Sequence, residues 1–142
     1  MTIPAPVVDA ATLNKFLQEA FPQAPRLYRV EEVTDVGVRM CLPVGVEHGR
    51  PGGTVAGPVL MGLVDGSAWL ATLSRIGLVP LAVTSTLTID FLHKPELVDL
   101  VADAELLRLG KRSSVTSVRV RSGDDGPLVA HATVGYAIPA DR

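Results

Sequence analysis

The stretch that most constrains this chain is Gly57-Pro58-Val59-Leu60-Met61-Gly62-Leu63-Val64-Asp65-Gly66-Ser67-Ala68-Trp69-Leu70-Ala71-Thr72-Leu73-Ser74-Arg75, apolar on nearly every face with one carboxylate inside it. Apolar residues all round predict a helix buried on all sides. Gly57 turns the entering chain, Pro58 suits the first helical position, where its missing N–H costs nothing, and Gly77 with Pro80 supplies the stop. Asp65 then lies about two turns inside. An unpaired carboxylate there is costly, so it must be hydrogen-bonded, neutralised, or held at a wet cleft or subunit interface. Whether it serves only the core or also chemistry is left open by composition. Asp65, Gly66, Ser67 and Arg75 leave no run of about twenty uncharged apolar residues, which argues against a membrane span.

At 142 residues the chain is read as one domain, 1–142, with 1–26 as an N-terminal helical extension. Hydrophobic residues make up 47% but aromatics only 4%, so Val, Leu, Ala and Ile must pack the core. A net charge of −2 implies no strongly basic surface, and nucleic acid is not an expected partner. Cys41 stands alone, which excludes a disulfide framework. The first residues lack the basic start and apolar run of a secretory signal, and a cytoplasmic protein is expected.

Asp9 is placed to cap a helix in which Leu13, Phe16, Leu17, Ala20 and Phe21 form one stripe, ending before Pro22. Residues 27–42 alternate as a strand or hairpin, with Val36, Val38 and Met40 opposite Gly37, Arg39 and Cys41. A glycine-rich polar loop, 44–53, leads to the central helix and is the expected place for ligand contacts. Everything after the helix reads as strand: 82–92, 98–109, a run through Thr116, Val118 and Val120, and 128–138. In the first of these, Thr84, Thr86, Thr88 and Asp90 share one face and Ser85, Leu87, Ile89 and Phe91 the other. An all-apolar helix cannot lie on one side of a flat sheet, so the sheet must curl around it or another subunit must cover it.

That α+β arrangement is a hotdog fold: an antiparallel sheet curled around a long central helix, here with a short N-terminal helix. The segment from Gly57 to Asp65, the strand end Phe91-Leu92-His93-Lys94-Pro95 and the turn Gly110-Lys111-Arg112 resemble the hotdog acyl-CoA thioesterases of the phenylacetate-degradation type, over about residues 27–139. In that family a loop with Asn and Gly leads to His-Gly-Gly at the helix start, and a carboxylate follows nine residues after the His. This chain keeps Gly53, Gly57 and Asp65 but has Arg50 at the Asn position and Ala56-Gly57-Pro58 for His-Gly-Gly.

The resemblance implies Asp65 as general base or nucleophile and the Gly57 N–H, at the positive end of the helix dipole, as oxyanion donor. Thr84 falls where the family has a hydroxyl residue lining the site. A plain sheet-surface threonine is the other reading. Arg50 is expected near a CoA phosphate or the acyl carbonyl, or else is a solvated loop cation. Lys111 and Arg112 stand where the family's cations meet the CoA phosphates, or form an ordinary charged turn. Pro58 and Trp69 are expected beside the substrate.

Eight residues along one helix span about 12 Å, so Gly57 and Asp65 reach one carbonyl only from different chains. A homo-oligomer is therefore expected, a dimer or a dimer of dimers. His48, His93 and His131 have no metal-ligand spacing, and no cofactor is expected, CoA being part of the substrate. The function read here is hydrolysis of a small acyl-CoA or aryl-CoA. The alternative is a non-catalytic acyl-CoA or small-ligand binder that lost part of the site through Ala56 and Pro58.

Overall fold

Asp9 starts the first helix as its position predicts, its Oδ1 accepting from the Thr12 N–H at 2.8 Å to open α1 (Ala10–Ala20). Thr12, through its hydroxyl first and its backbone N–H second, holds the Asp9 carboxyl below its usual range. The computed structural model describes residues 2–24 and 27–141, so Met1, Pro25 and Arg26 of the expected extension, and Arg142, lie outside the described residues. Leu13 and Leu17 are the buried face of α1. Asn14 adds a polar tie, donating to the Val30 carbonyl at 2.9 Å and accepting from the Val30 N–H at 2.8 Å.

Residues 27–42 resolve into a hairpin, β1 (Arg29–Val33) and β2 (Gly37–Leu42), turned at Thr34, whose Oγ1 accepts from the Gly37 N–H at 2.9 Å. The polar loop holds a 3₁₀ turn (Val46–His48) and a short ribbon of β3 (Gly49–Arg50) with β4 (Thr54–Val55). Then come α2 (Gly57–Ile76), β5 (Val83–Phe91), β6 (Leu100–Leu109), β7 (Ser113–Ser122) and β8 (Leu128–Ala137). Pro58 stands in the first turn of α2, and the helix stops at Gly77, whose N–H closes on the Leu73 carbonyl at 2.9 Å.

The main sheet runs β1-β2-β6-β7-β8-β5. β5, the first strand after the helix, does not pair with β6, the next in sequence. It crosses to the far edge beside β8. Antiparallel pairing along the whole order curls one face around α2, which packs on β2, β5, β6, β7 and β8. Leu60, Leu63, Leu70 and Leu73 are essentially fully covered, each such burial worth about 1.5–3 kcal/mol.

The helix is nevertheless not buried all round. Pro58, Met61 and Gly62 are exposed and Asp65 and Trp69 half-buried, and at three- and four-residue spacing these make one stripe. The sheet covers the other faces and leaves this one open. By length and apolar content α2 could cross a membrane, but 72% of its apolar window is buried inside the fold. Its buried hydroxyls are also satisfied within the helix, Ser67 donating to the Leu63 carbonyl at 2.7 Å and Thr72 to the Ala68 carbonyl at 2.9 Å.

At the C-terminal turn of α2, Arg75 is 5% exposed, and neutral oxygens are what its guanidinium meets. Nε donates to the Pro4 carbonyl at 3.2 Å, Nη1 to the Gly37 carbonyl at 3.1 Å and Ser74 Oγ at 2.8 Å, and Nη2 to the Thr34 carbonyl at 2.5 Å. One planar fork thus ties the N-terminal segment and the β1–β2 turn to the helix end, where the dipole favours a cation. Arg75→Met should take the side-chain donor from the Pro4 and Thr34 carbonyls, leave Gly37 with only the Thr34 N–H, and lower stability by about 2–4 kcal/mol. Urea unfolding followed by circular dichroism measures it, and an unchanged midpoint would show the clamp to be dispensable.

Candidate functional site

Asp65 is satisfied by hydroxyls. Its Oδ1 accepts from Thr84 Oγ1 at 2.6 Å and from Tyr136 Oη at 2.7 Å, and the Tyr136 hydroxyl also lies 3.1 Å from the Asp65 carbonyl oxygen. Thr84 and Tyr136 are directly opposed on β5 and β8, which places the two donors side by side under the helix.

Simple alternation does not put Thr84 there. The β5–β8 register shifts between Thr84 and Thr86, so Ser85 is an extra residue in β5. Beyond it Leu87, Ile89 and Phe91 pair with the inward-facing Val134, Ala132 and Ala130. Thr84 pairs with the inward Tyr136, so it shares the concave face with Leu87 and Ile89. The expected face shared by Thr84, Thr86, Thr88 and Asp90 is therefore broken at the bulge. Gly135 is what admits the bulge, since a Cβ at that position would lie 2.6 Å from Thr86 Oγ1 and 3.0 Å from Ser85 Oγ.

Tyr28 completes the surroundings of Asp65. Its ring lies in a groove of α2 that exists because residue 66 is glycine; a Cβ there would overlap the Tyr28 Cζ and hydroxyl. Burial, with the Asp65 charge beside it, pushes the Tyr28 phenol up to about 12. Burial likewise holds the Tyr136 hydroxyl protonated far above the usual phenol range. Both of the chain's tyrosines therefore converge on one carboxylate as fixed, neutral groups.

The helix start forms a second locus. Gly57 borders a cavity of about 470 Å³ lined by Arg50, Thr54, Leu60, Phe91 and His93 among others. The N-cap Ala56 offers no side-chain bond, and its own N–H donates to the His48 carbonyl at 2.9 Å. The Val59 and Leu60 N–H groups turn back on the Ala56 carbonyl, and Pro58 has no N–H. Among the described residues this leaves the Gly57 N–H as the unclaimed donor of the first turn, at the positive end of α2.

The structure thus brings Asp65 together with Thr84, and Gly57 with Arg50, but within one chain the two groups stand about 12 Å apart along the helix. Pro58 lies exposed on the open stripe. Trp69 lies one turn beyond Asp65 and packs on α1, its ring 5.4 Å from that of Phe16 and 6.2 Å from that of Phe21. Its buried indole N–H has no partner among the described residues. Lys111 and Arg112 are exposed in the β6–β7 turn. That turn adjoins the sheet end carrying Thr84 and Tyr136, since Ser113 and Ser114 pair with Ala137 and Tyr136. Arg112 also ties that turn down, its Nε donating to the Ile138 carbonyl at 3.3 Å.

Sequence reasoning missed Tyr136 and Tyr28. A signal for Tyr136 was present: it continues the inward series Ala130, Ala132, Val134 as the one member with a polar tip. Tyr28 lies outside the regular strands and carried no such signal.

The profile of the thioesterase superfamily matches residues 52–129. Among solved structures, a provisionally assigned thioesterase from Silicibacter sp. TM1040 is 36% identical over 94% of each chain with a TM-score of 0.86. A hypothetical thioesterase protein from Streptococcus pneumoniae, solved with coenzyme A, is 25% identical over 82% of this chain and 88% of its own, with a TM-score of 0.72. A thioesterase from Haemophilus influenzae shares the fold at 16% identity, covering 99% of this chain and 98% of its own with a TM-score of 0.82. No curated protein sequence matches.

Gly66→Ala should force the half-buried Tyr28 ring off the helix and cost about 1–3 kcal/mol. Thermal and urea unfolding read the loss. Wild-type stability in this variant would mean that Tyr28 moves freely and does not frame Asp65.

Proposed function

We propose that this chain, which belongs to the thioesterase superfamily, hydrolyses the thioester of a small acyl-CoA or aryl-CoA to the free acid and CoA, as enzymes of the phenylacetate-degradation type do. The observation that carries the reading is the Asp65 carboxylate, hydrogen-bonded by Thr84 at 2.6 Å on the central helix of that fold. CoA as the carrier is supported by the coenzyme A bound in the Streptococcus pneumoniae structure.

Asp65 either takes a proton from a water as the water oxygen attacks the thioester carbon, or attacks that carbon itself to form an anhydride that water opens. In both routes the C–S bond breaks and the CoA thiolate leaves with its electron pair, to be protonated. Negative charge builds on the carbonyl oxygen meanwhile, and a free backbone N–H at a helix N-terminus suits it. Gly57 supplies that donor from the partner protomer. Neither route calls on a metal or cofactor.

Two surfaces support the two-fold. β5 is a nine-residue edge strand whose one charge is Asp90, and a bare edge is a template for pairing with another copy. The open stripe on α2 is the second. Antiparallel pairing of β5 with the partner's β5 would extend the sheet and set the stripes of the two helices face to face, in a homodimer or a dimer of dimers. It would also carry Lys111 and Arg112 of one protomer toward the Gly57 and Arg50 end of the other, where these cations meet CoA phosphates. Pro58 faces the acyl group from the open stripe of the helix, and Trp69, packed on Phe16 and Phe21 one turn beyond Asp65, backs the acyl end of the site. The working unit is the single domain 1–142, in the cytoplasm. A second reading, a non-catalytic acyl-CoA binder, draws on the N-cap Ala56, which brings no side-chain group to the helix start.

Hydrolysis assays across a panel of acyl-CoA and aryl-CoA thioesters decide between them. Asp65→Asn should lower kcat by about 10²–10⁴-fold on whichever substrate is turned over, with the fold and oligomer intact. Near-normal turnover in that variant would remove Asp65 from the chemistry.

Mixing two inactive variants tests the shared site. Asp65→Asn supplies one and Gly57→Pro the other: the lost N–H has no intrachain acceptor, and the extended backbone of Ala56 (ψ 143°) accepts a following proline. Circular dichroism and gel filtration check that each folds. In a mixed dimer one site carries both defects and the other neither. Random re-association of equal amounts makes about half the dimers mixed, each with one sound site, so about a quarter of wild-type activity should return. Folded, re-associated mixtures that stay inactive contradict a site shared between chains.

A further inference from the structure

The hydrogen bonds to Asp65 are unequal between its two oxygens. Thr84 and Tyr136 both donate to Oδ1, and among the described residues no donor reaches Oδ2. The two donors also differ in kind. Thr84 is exposed on the edge strand β5, whereas Tyr136 is 4% exposed on β8, a strand paired on both sides by β7 and β5. Its ring belongs to the packed core, so its hydroxyl has one place to be. That hydroxyl lies within 3.1 Å of the Asp65 carbonyl and 2.7 Å of its carboxylate, and so spans the backbone and side chain of a single residue. On the neighbouring side the Tyr28 ring occupies the groove over Gly66 and closes off the space next to the carboxylate.

We propose that Tyr136 is a positioning residue: it locks the Asp65 side chain through Oδ1 and so presents Oδ2 as the one oxygen that meets water or the thioester carbon. The assignment rests on the hydrolase reading above. It serves either chemical route, because in both a single carboxylate oxygen forms the new bond, to a proton or to carbon, and its direction sets the fraction of productive encounters. Burial keeps the Tyr136 hydroxyl protonated, so it acts as a permanent donor and takes no part in proton transfer. Among the described residues the groups facing the carboxylate are Tyr136 from β8, Thr84 from β5 and Tyr28 from the segment before β1. None of the three is charged at neutral pH, so each acts on Asp65 as a dipole.

Tyr136→Phe removes the hydroxyl and keeps the ring. On a substrate the wild type turns over, kcat should fall about 10–100-fold while KM changes less than about twofold, since the substrate's own contacts are untouched. The ¹³C chemical shift of the Asp65 carboxyl at neutral pH should change as well, because the hydrogen bond to Oδ1 is lost. A residue that merely filled the core would move neither. An unmoved carboxyl shift, or an unmoved kcat beside a moved shift, overturns the assignment.

Asp65→Asn in the same assay separates the two levels. If it retains turnover, the hydrolytic reading fails. If it is inactive while Tyr136→Phe behaves as wild type, the positioning role alone fails. Should no thioester be turned over, the carboxyl ¹³C shift at neutral pH still decides whether Tyr136 holds the carboxylate.

Discussion

A carboxylate two turns inside a helix that packs on all faces but one is the constraint to which the surrounding structure answers. Asp65 is half-buried at the margin of the open stripe, and partial burial of an ionised group calls for donors aimed at it. Two strands distant in sequence each deliver a hydroxyl to it. Thr84 gets there through one extra residue in β5, and that residue is admitted because Gly135 leaves room on the opposite strand. Tyr136 gets there by ordinary alternation along β8. Gly66 lets a second phenol close the neighbouring space. Small residues at 66 and 135 therefore belong to the same solution as the large polar ones they accommodate.

The helix that carries Asp65 is covered unevenly, and the unevenness has a physical source. A curled sheet of six strands wraps most of a cylinder about 10 Å wide, but its two edges do not meet. The gap falls along Pro58, Met61, Gly62 and Asp65, beside the β5 edge. At the opposite end of the helix the difficulty is of another kind: the β1–β2 turn and the N-terminal segment must be joined to the helix end, and the Arg75 fork joins them through their carbonyls. One end of α2 is thus clamped by a buried cation, while the other leaves a backbone donor unclaimed.

Much of this was legible in the sequence because it depends on local physics. Asp9 at a cap, Pro58 in a first turn and Gly77 at a stop are decided by which backbone groups lack partners, which neighbouring residues determine. The curled sheet followed from the all-round apolarity of 57–75, and a site-lining position for Thr84, beside a plain sheet-surface reading, came from resemblance. What was not legible is non-local. The bulge at Ser85 depends on Gly135, fifty residues away, and it overturned the face assigned to Thr84. The placement of β5 beside β8 depends on which strand edge is free once β6, β7 and β8 have formed. Tyr28 was invisible because nothing in its own neighbourhood marks it; its position is set by the absent side chain of Gly66.

The uneven cover also bears on why the two halves of the proposed site are separated on one helix. An oxyanion donor is most effective at a helix N-terminus, where the dipole adds to the N–H and solvent can be excluded. A carboxylate placed at that same end would compete with the oxyanion for the same donor and be drawn into capping it. Putting Asp65 two turns away, with hydroxyls of its own, keeps the Gly57 N–H unclaimed. In the proposed dimer the separation is undone by assembly, and an isologous two-fold would do so at no cost in new sequence, because each chain brings both halves and the antiparallel relation crosses them. The open stripe and the bare β5 edge, liabilities in an isolated chain, are on this argument what the spacing of Gly57 and Asp65 requires.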